Sequence, residues 1–174
     1  MPAIAANTFT STATHSITIR RAVADDAVSI LRMIGALAKY QGVADRVHAS
    51  AEDLRRDGFG PAPKFEALIA ERHGVPVGLA MFQAYYSSWE TASVLQITDL
   101  FVDEAVRGTG VGFRLAHEVA HIAHQRGCAG LQLNMVHANP SRVSLDRIGF
   151  VHQDDLLHYR LDAQALKKFV ESER

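Results

Sequence analysis

Ile97-Thr98-Asp99-Leu100-Phe101-Val102-Asp103-Glu104-Ala105-Val106-Arg107-Gly108-Thr109-Gly110-Val111-Gly112 is the stretch whose reading decides the fold. It joins an apolar strand, Val94 to Val102, to a helix expected over Phe113 to Arg126. Leu115, Val119 and Ile122 fall on the inward face of that helix, and Gly127 closes it. Between strand and helix, the missing side chains at 108, 110 and 112 let the backbone come close to a ligand. The first N–H groups of a helix have no partner within it, and the helix dipole adds positive potential there. The turn therefore suits a phosphate or pyrophosphate.

Three kinds of phosphate loop compete for this signal. A Walker loop requires Gly-x-x-x-x-Gly-Lys-Ser/Thr, and no lysine is near. A dinucleotide fingerprint requires Gly-x-Gly-x-x-Gly, but Phe113 stands at its third glycine. What remains is Arg107-x-x-Gly110-x-Gly112.

Outward from the turn, the pattern alternates strands and helices. Ile17 to Arg20 alternates apolar and polar residues, as a half-buried strand does. Asp25 or Asp26 can cap a helix with Val28, Leu31, Ile34, Leu37 and Ala38 near one face. Ser50 and Asp53 form a capping box for a short helix that stops at Gly58 or Gly60, before Pro61 and Pro63. Phe65 to Glu71 and Val77 to Tyr86 read as a hairpin turning at Arg72-His73-Gly74. Leu131 to Val136 is a further strand, Ser141 to Ile148 a short helix and Leu156 to Leu161 a last strand. Residues 1–16 lack periodicity and read as a mobile tail; 17–174 read as one domain. The fold class is α/β: a mixed sheet with helices on both faces.

Composition narrows the function. Hydrophobic residues are 48% and charged residues 21%, so the chain can build a core without staples. The 18 Lys and Arg nearly balance 19 Asp and Glu with no long basic run, which removes the electrostatic footprint of a nucleic-acid binder. Cys128 is the only cysteine, so an intrachain disulfide and a Cys-rich zinc site are excluded. Charged residues interrupt every apolar run, so no membrane helix is expected. Residues 1–16 lack the basic and apolar regions of a signal peptide, and a cytoplasmic setting is expected.

The Arg-x-x-Gly-x-Gly turn resembles the pyrophosphate loop of the GNAT superfamily of acetyl-CoA-dependent N-acetyltransferases. Ala38-Lys39-Tyr40, Asp53-Leu54, Asp57-Gly58-Phe59-Gly60, Pro76 to Phe82 and Trp89 extend the resemblance to its diamine (spermidine/spermine) branch, over about residues 17–162. The resemblance implies a sheet splayed between the strands at 94–102 and 131–136, with acetyl-CoA in the wedge, and a homodimer. It implies that the backbone of Leu100, Phe101 and Val102 holds the acetyl and pantetheine groups. Arg107, Gly108, Thr109, Gly110, Val111, Gly112 and Phe113 would take the pyrophosphate. Asn139, Pro140 and Ser141 would lie beside the pantetheine, and Tyr40 and Gln41 at the amine.

The departures bear on mechanism. Leu145 stands where the family carries a tyrosine that protonates the departing thiolate. A thiol of pKa ~8.5 leaves tolerably unaided, so this loss slows the reaction or passes the role to water, Ser144 or Tyr159. Thr98 stands where the branch carries a glutamate proposed as base, and Gln41 also replaces an acidic residue. A primary amine of pKa ~10.4 is about 0.1% neutral near pH 7.4, a cost of about 4 kcal/mol, so some group should accept its proton. Asp99 is the first candidate, followed by Glu90 and His137; a structural cap or buried pair is the other reading of Asp99. Trp89, with Tyr85 and Tyr86, could wall an amine by cation–π contact or simply pack in the core.

His117, His121 and His124 recur within about 60° on one helix face, a metal-compatible spacing with no carboxylate or cysteine to complete it. They read as a polar or dimer-facing stripe, and no metal is expected. Cys128 reads as a small buried hydrophobe. The function expected is transfer of acetyl from acetyl-CoA to the primary amine of a small molecule, a polyamine or lysine-like amino acid. A catalytically weak acyl-CoA-binding or regulatory protein and a protein N-acetyltransferase are the alternatives.

Overall fold

The structure is a computed structural model that describes residues 17–135, 139, 145–146 and 149–172. Its contacts divide the chain into two units, Met1–Met135 and Val136–Arg174. The first holds a sheet of five strands whose order follows the chain: β1 (Ile17–Arg21), β2 (Glu66–Arg72), β3 (Val75–Ser87), β4 (Ala92–Val102) and β5 (Gly130–Leu133). The first three pairings are antiparallel and β4–β5 is parallel. Helices α1 (Ala27–Tyr40) and α2 (Ala51–Phe59) lie on one face, and α3 (Val111–Gln125) lies on the other. The mixed sheet with helices on both faces is as the sequence pattern expects.

Strand alternation sorts the core into two layers. Leu68, Ala80, Phe82, Leu95 and Ile97 meet Val111, Leu115, Val119 and Ile122 on the α3 face. Ala67, Ile69, Leu79 and Met81 meet Ile30, Met33 and Leu54 on the other. Phe82, Leu95, Ile97, Leu115 and Val119 are fully buried, each worth about 1.5–3 kcal/mol of transfer free energy. Gly78 makes the approach of α3 possible, because a Cβ there would lie 3.1–3.2 Å from Leu115, Ala70 and Val111.

The inward face of α1 is the expected one in part, with Leu31, Ile34 and Leu37 packed along its edge. Ala27, Ile30, Met33 and Ala38 are buried, whereas Val28 is exposed and Leu31, Ile34 and Leu37 are only half-buried. The rotation is set before the helix begins. Asp26 accepts two hydrogen bonds from Arg20, at 2.7 and 2.8 Å, and one from the Val23 N–H at 2.8 Å. Arg20 also pairs with Glu71 on β2 at 2.6 Å, which ties the start of α1 to the sheet. The Ser50–Asp53 capping box forms as expected, with Asp53 N–H donating to Ser50 Oγ at 3.1 Å and Ser50 N–H donating to Asp53 Oδ2 at 3.0 Å.

Helix ends and turns use glycine where φ is positive. After α1, Gly42 (φ 72°) donates to Lys39 O, and Val43 donates to Ala38 O. After α3, Gly127 (φ 66°) donates to His124 O, and Cys128 donates to Ala123 O. Both are Schellman motifs. Cys128 supplies the apolar contact that follows the second motif, packed half-buried against the α3 layer. The β2–β3 turn at His73-Gly74 has both residues at positive φ, as a two-residue hairpin requires.

In the second unit, the strand expected at Leu156–Leu161 does not form. Val151, Leu156, Leu157, Tyr159 and Leu161 are all exposed, and no strand pairs with them among the described residues. Apolar alternation alone makes no strand without a partner for its N–H and C=O groups. The chain instead forms α4 (Ala163–Glu171), unforeseen from the sequence, capped by Asp162 accepting from the Ala165 N–H at 2.8 Å. Residues 1–16 and most of the expected helix at Ser141–Ile148 lie outside the described residues.

Asp26 gives a test of the α1 anchor. The Arg20 guanidinium holds its carboxyl below the usual carboxylate range. A depressed native pKa means the contribution is complete above the unfolded value of ~3.9 and is lost as pH falls through the native value. Asp26→Asn is expected to cost about 2 kcal/mol at pH 7 by urea denaturation, with the deficit shrinking below about pH 4.

Candidate functional site

One extra residue organises the site. Phe82 pairs with Ile97 and Met81 with Asp99, so Thr98 is a β-bulge without an opposite number. The bulge inverts the phase of β4. Leu95 and Ile97 face the α3 layer before it, and Leu100 and Val102 face the same layer after it. Phe101 and Asp99 are thereby turned to the α1–α2 face, Phe101 buried beside Met81 and Leu79, and Asp99 opposite Met81.

At the same point β4 loses a neighbour. The parallel ladder to β5 ends at Ile97–Leu133, while β4 continues to Val102. Asp103 N–H donates to Val77 O at 2.8 Å, which fixes the phase of the N–H groups. Alternation directs the Phe101 N–H toward β3 as well, and those of Leu100 and Val102 toward the open edge. Among the described residues neither has a strand partner. Of the three residues expected to hold an acyl chain by their backbone, Leu100 and Val102 thus present donors while Phe101 anchors the strand.

The glycine turn follows directly. A short 3-10 turn over Glu104–Val106 buries Val106, and Thr109 Oγ1 donates back to Val106 O at 2.7 Å. Gly108 (φ 76°) and Gly110 (φ 85°) reverse the chain, with open space beside each Cα. The first hydrogen bond of α3 runs from Arg114 to Gly110 O. The N–H groups of Val111, Gly112 and Phe113 precede it and have no backbone acceptor among the described residues. Arg107 Nε donates to Val102 O at 3.1 Å, and its guanidinium lies 4.8 Å from the centroid of the Tyr40 ring. Three backbone donors, a helix N-terminus and an arginine form a cradle that fits a pyrophosphate.

Asp99 is half-buried with no cation at ion-pair distance among the described residues. Burial pushes its carboxyl above the usual range, and a hydrogen bond from Thr98 offsets part of that. Such a group accepts a proton more readily than a free carboxylate. Glu90 and Trp89 lie in the β3–β4 turn, about 20 Å from Asp99 along the strand, too far to share one nitrogen with it. Trp89 is 93% exposed and Tyr86 is 67% exposed, so they do not pack in the core.

The other expected residues scatter. Gln41 caps α1 through its N–H to Leu37 O, and Thr98 is exposed at the bulge. His137, Pro140, Ser141 and Ser144 lie outside the described residues. In the second unit Asn139 and Leu145 are half-buried and Tyr159 is exposed. His117, His121 and His124 are exposed on α3, where His117 packs against Phe113 at 5.8 Å. A surface cavity of about 280 Å³ lined by Ile19, Phe113, Arg114, His117 and Glu118 does not include Asp99. What sequence reasoning missed was the Arg107–Tyr40 stack, since residues so far apart in the chain leave no local pattern.

Residues 36–150 match the acetyltransferase (GNAT) family. The chain is 36% identical to the thialysine N-epsilon-acetyltransferase of Sus scrofa, over 75% of this chain and 81% of that one. It is 35% identical to the human spermidine/spermine N(1)-acetyltransferase-like protein 1, over 72% of this chain and 19% of that one. The fold is similar to that of an integron cassette protein from the mobile metagenome of V. cholerae, with a TM-score of 0.74 and 23% identity over 90% of this chain and 98% of that one.

The turn conformation can be tested by contrasting two glycines. Gly110→Ala places a Cβ at φ 85° and is expected to cost about 1–2 kcal/mol, lowering Tm by several degrees. Gly35→Ala, inside α1 with open space around it, is expected to stabilise by about 0.5–1 kcal/mol.

Proposed function

Because the chain belongs to the acetyltransferase (GNAT) family, we propose that it is an acetyl-CoA-dependent N-acetyltransferase acting on the primary amine of a small molecule. The observation that carries this reading is the continuous run of open donors from the free edge of β4, at Leu100 and Val102, into the glycine turn at 107–113. The names of the thialysine and spermidine/spermine relatives support a short amine of lysine or polyamine type. With Thr98 and Gln41 neutral, the carboxylates around the amine are few, which favours one cationic centre over several.

When bound, acetyl-CoA supplies the activated acetyl group. Val111, Gly112, Phe113 and Arg107 hold its pyrophosphate, and Val102 N–H donates to the pantetheine arm. Leu100 N–H donates to the acetyl oxygen as that oxygen gains charge. The amine nitrogen forms the new bond to carbon as the carbon–sulfur bond breaks, with the electron pair passing to sulfur. Asp99 takes the proton from the amine directly or through a water. Holding both reactants in one cleft supplies much of the rate. The family resemblance also supports a homodimer, and the lack of signal-peptide character in residues 1–16 supports a cytoplasmic setting; among the described residues no helix is long and apolar enough to cross a membrane.

Thiol release from acetyl-CoA against spermidine, putrescine, lysine, thialysine and other amino acids, from pH 6 to 10, tests the reading. Turnover confined to one class of amine is the expected result. Asp99→Asn should lower kcat/KM by about 10² or more at pH 7, with acetyl-CoA affinity within about twofold of native. Its deficit should shrink toward pH 10, where the amine loses its proton unaided (pKa ~10.4).

A second reading, an acyl-CoA-binding protein of low turnover, is favoured by Leu145 at the tyrosine position. Acetyl-CoA binding with silence across the panel would support it. Leu145→Tyr is then expected to raise kcat about tenfold or more by supplying a proton to the thiolate.

A further inference from the structure

Tyr40 ends α1 half-exposed, and one face of its ring is covered by the Arg107 guanidinium at 4.8 Å. Arg107 is held a second time, by its Nε–H to Val102 O. These restraints come from different elements, one from α1 and one from β4. They fix a long side chain that is otherwise exposed at the mouth of the glycine turn. Its four remaining N–H groups have no partner among the described residues. Resting on the reading of that turn as the donor site, we propose that Tyr40 is a positioning residue for Arg107, presenting the guanidinium to the donor's phosphates, and is no part of the amine pocket.

The chemistry on the ring favours this assignment. An aromatic face binds one cation well, and here that cation is Arg107. An ammonium brought to the same face would meet a fixed like charge. The stack needs the ring and not the hydroxyl, so phenylalanine should serve. Preorganising the arginine removes part of the ordering cost that phosphate binding otherwise carries.

Calorimetric titration of the full-length chain with CoA, without amine, tests the proposal. Tyr40→Leu should weaken CoA binding about two- to fivefold, and Tyr40→Phe should restore it. In an Arg107→Ala background, Tyr40→Leu should have no further effect. At saturating acetyl-CoA the amine KM of Tyr40→Leu should match native. In the ligand-free chain, the Arg107 Nε–H resonance should lose its ring-current shift in Tyr40→Leu and keep it in Tyr40→Phe. An unchanged CoA Kd with a raised amine KM in Tyr40→Leu overturns the proposal and returns the residue to the amine pocket. A native chain that does not bind CoA overturns the donor-site reading and this proposal with it, and that result appears before any substitution is made.

Discussion

The single unpaired residue at Thr98 is the constraint on which the site depends. Side chains and N–H groups along a strand both alternate with a period of two, so one extra residue reverses everything beyond it. Without it, Leu100 and Val102 would point away from the α3 layer into which they pack. Their N–H groups would turn inward, and Phe101 would leave the cluster formed with Leu79 and Met81. The bulge also coincides with the end of β5 pairing at Ile97. A core requirement and a ligand-binding requirement are thus met by one local irregularity.

The helices are held to the sheet from their ends. Arg20, Asp26 and Glu71 set the rotation of α1 at its start, and the Schellman turn at Gly42 stops it beside Arg107. At the far end of α3, Arg126 makes a two-pronged pair with Glu66, which also accepts from Arg21. The Glu66 pairs are partly exposed, so each contributes modestly to stability, whereas Asp26 is buried. Their shared effect is geometric: they tie the start of α1 and the end of α3 to β1 and β2.

Much of this was legible in the sequence, for reasons that differ by residue. Glycines at 108, 110 and 127 and the Ser50–Asp53 pair act within a few positions of themselves, so local pattern reveals them. The deep centre of the α1 face, Ile30 and Met33, was not legible because the anchor that turns it inward runs through Glu71, one strand away in space and distant in sequence. The strand expected at Leu156–Leu161 failed because alternation specifies a face and not a partner. At the site, the glycine turn was legible from its own residues, the Leu100–Val102 edge was expected only through the family resemblance, and the Arg107–Tyr40 stack left no local pattern. Glu90 was eligible by composition and is separated from Asp99 by most of a strand. Linear nearness says little across an eleven-residue strand.

The strand order has a consequence for how the chain assembles as it is made. Strands β2, β3 and β4 are neighbours in both sequence and sheet, joined by short turns, so their pairing closes small loops at little entropic cost. Strand β1 leaves the ribosome first but must wait for β2, with α1 and α2 threaded between them. The short parallel β5 can join only after α3 has crossed the sheet. Assembly therefore grows outward from the central meander, and the open edge of β4 is among the last surfaces to acquire its surroundings.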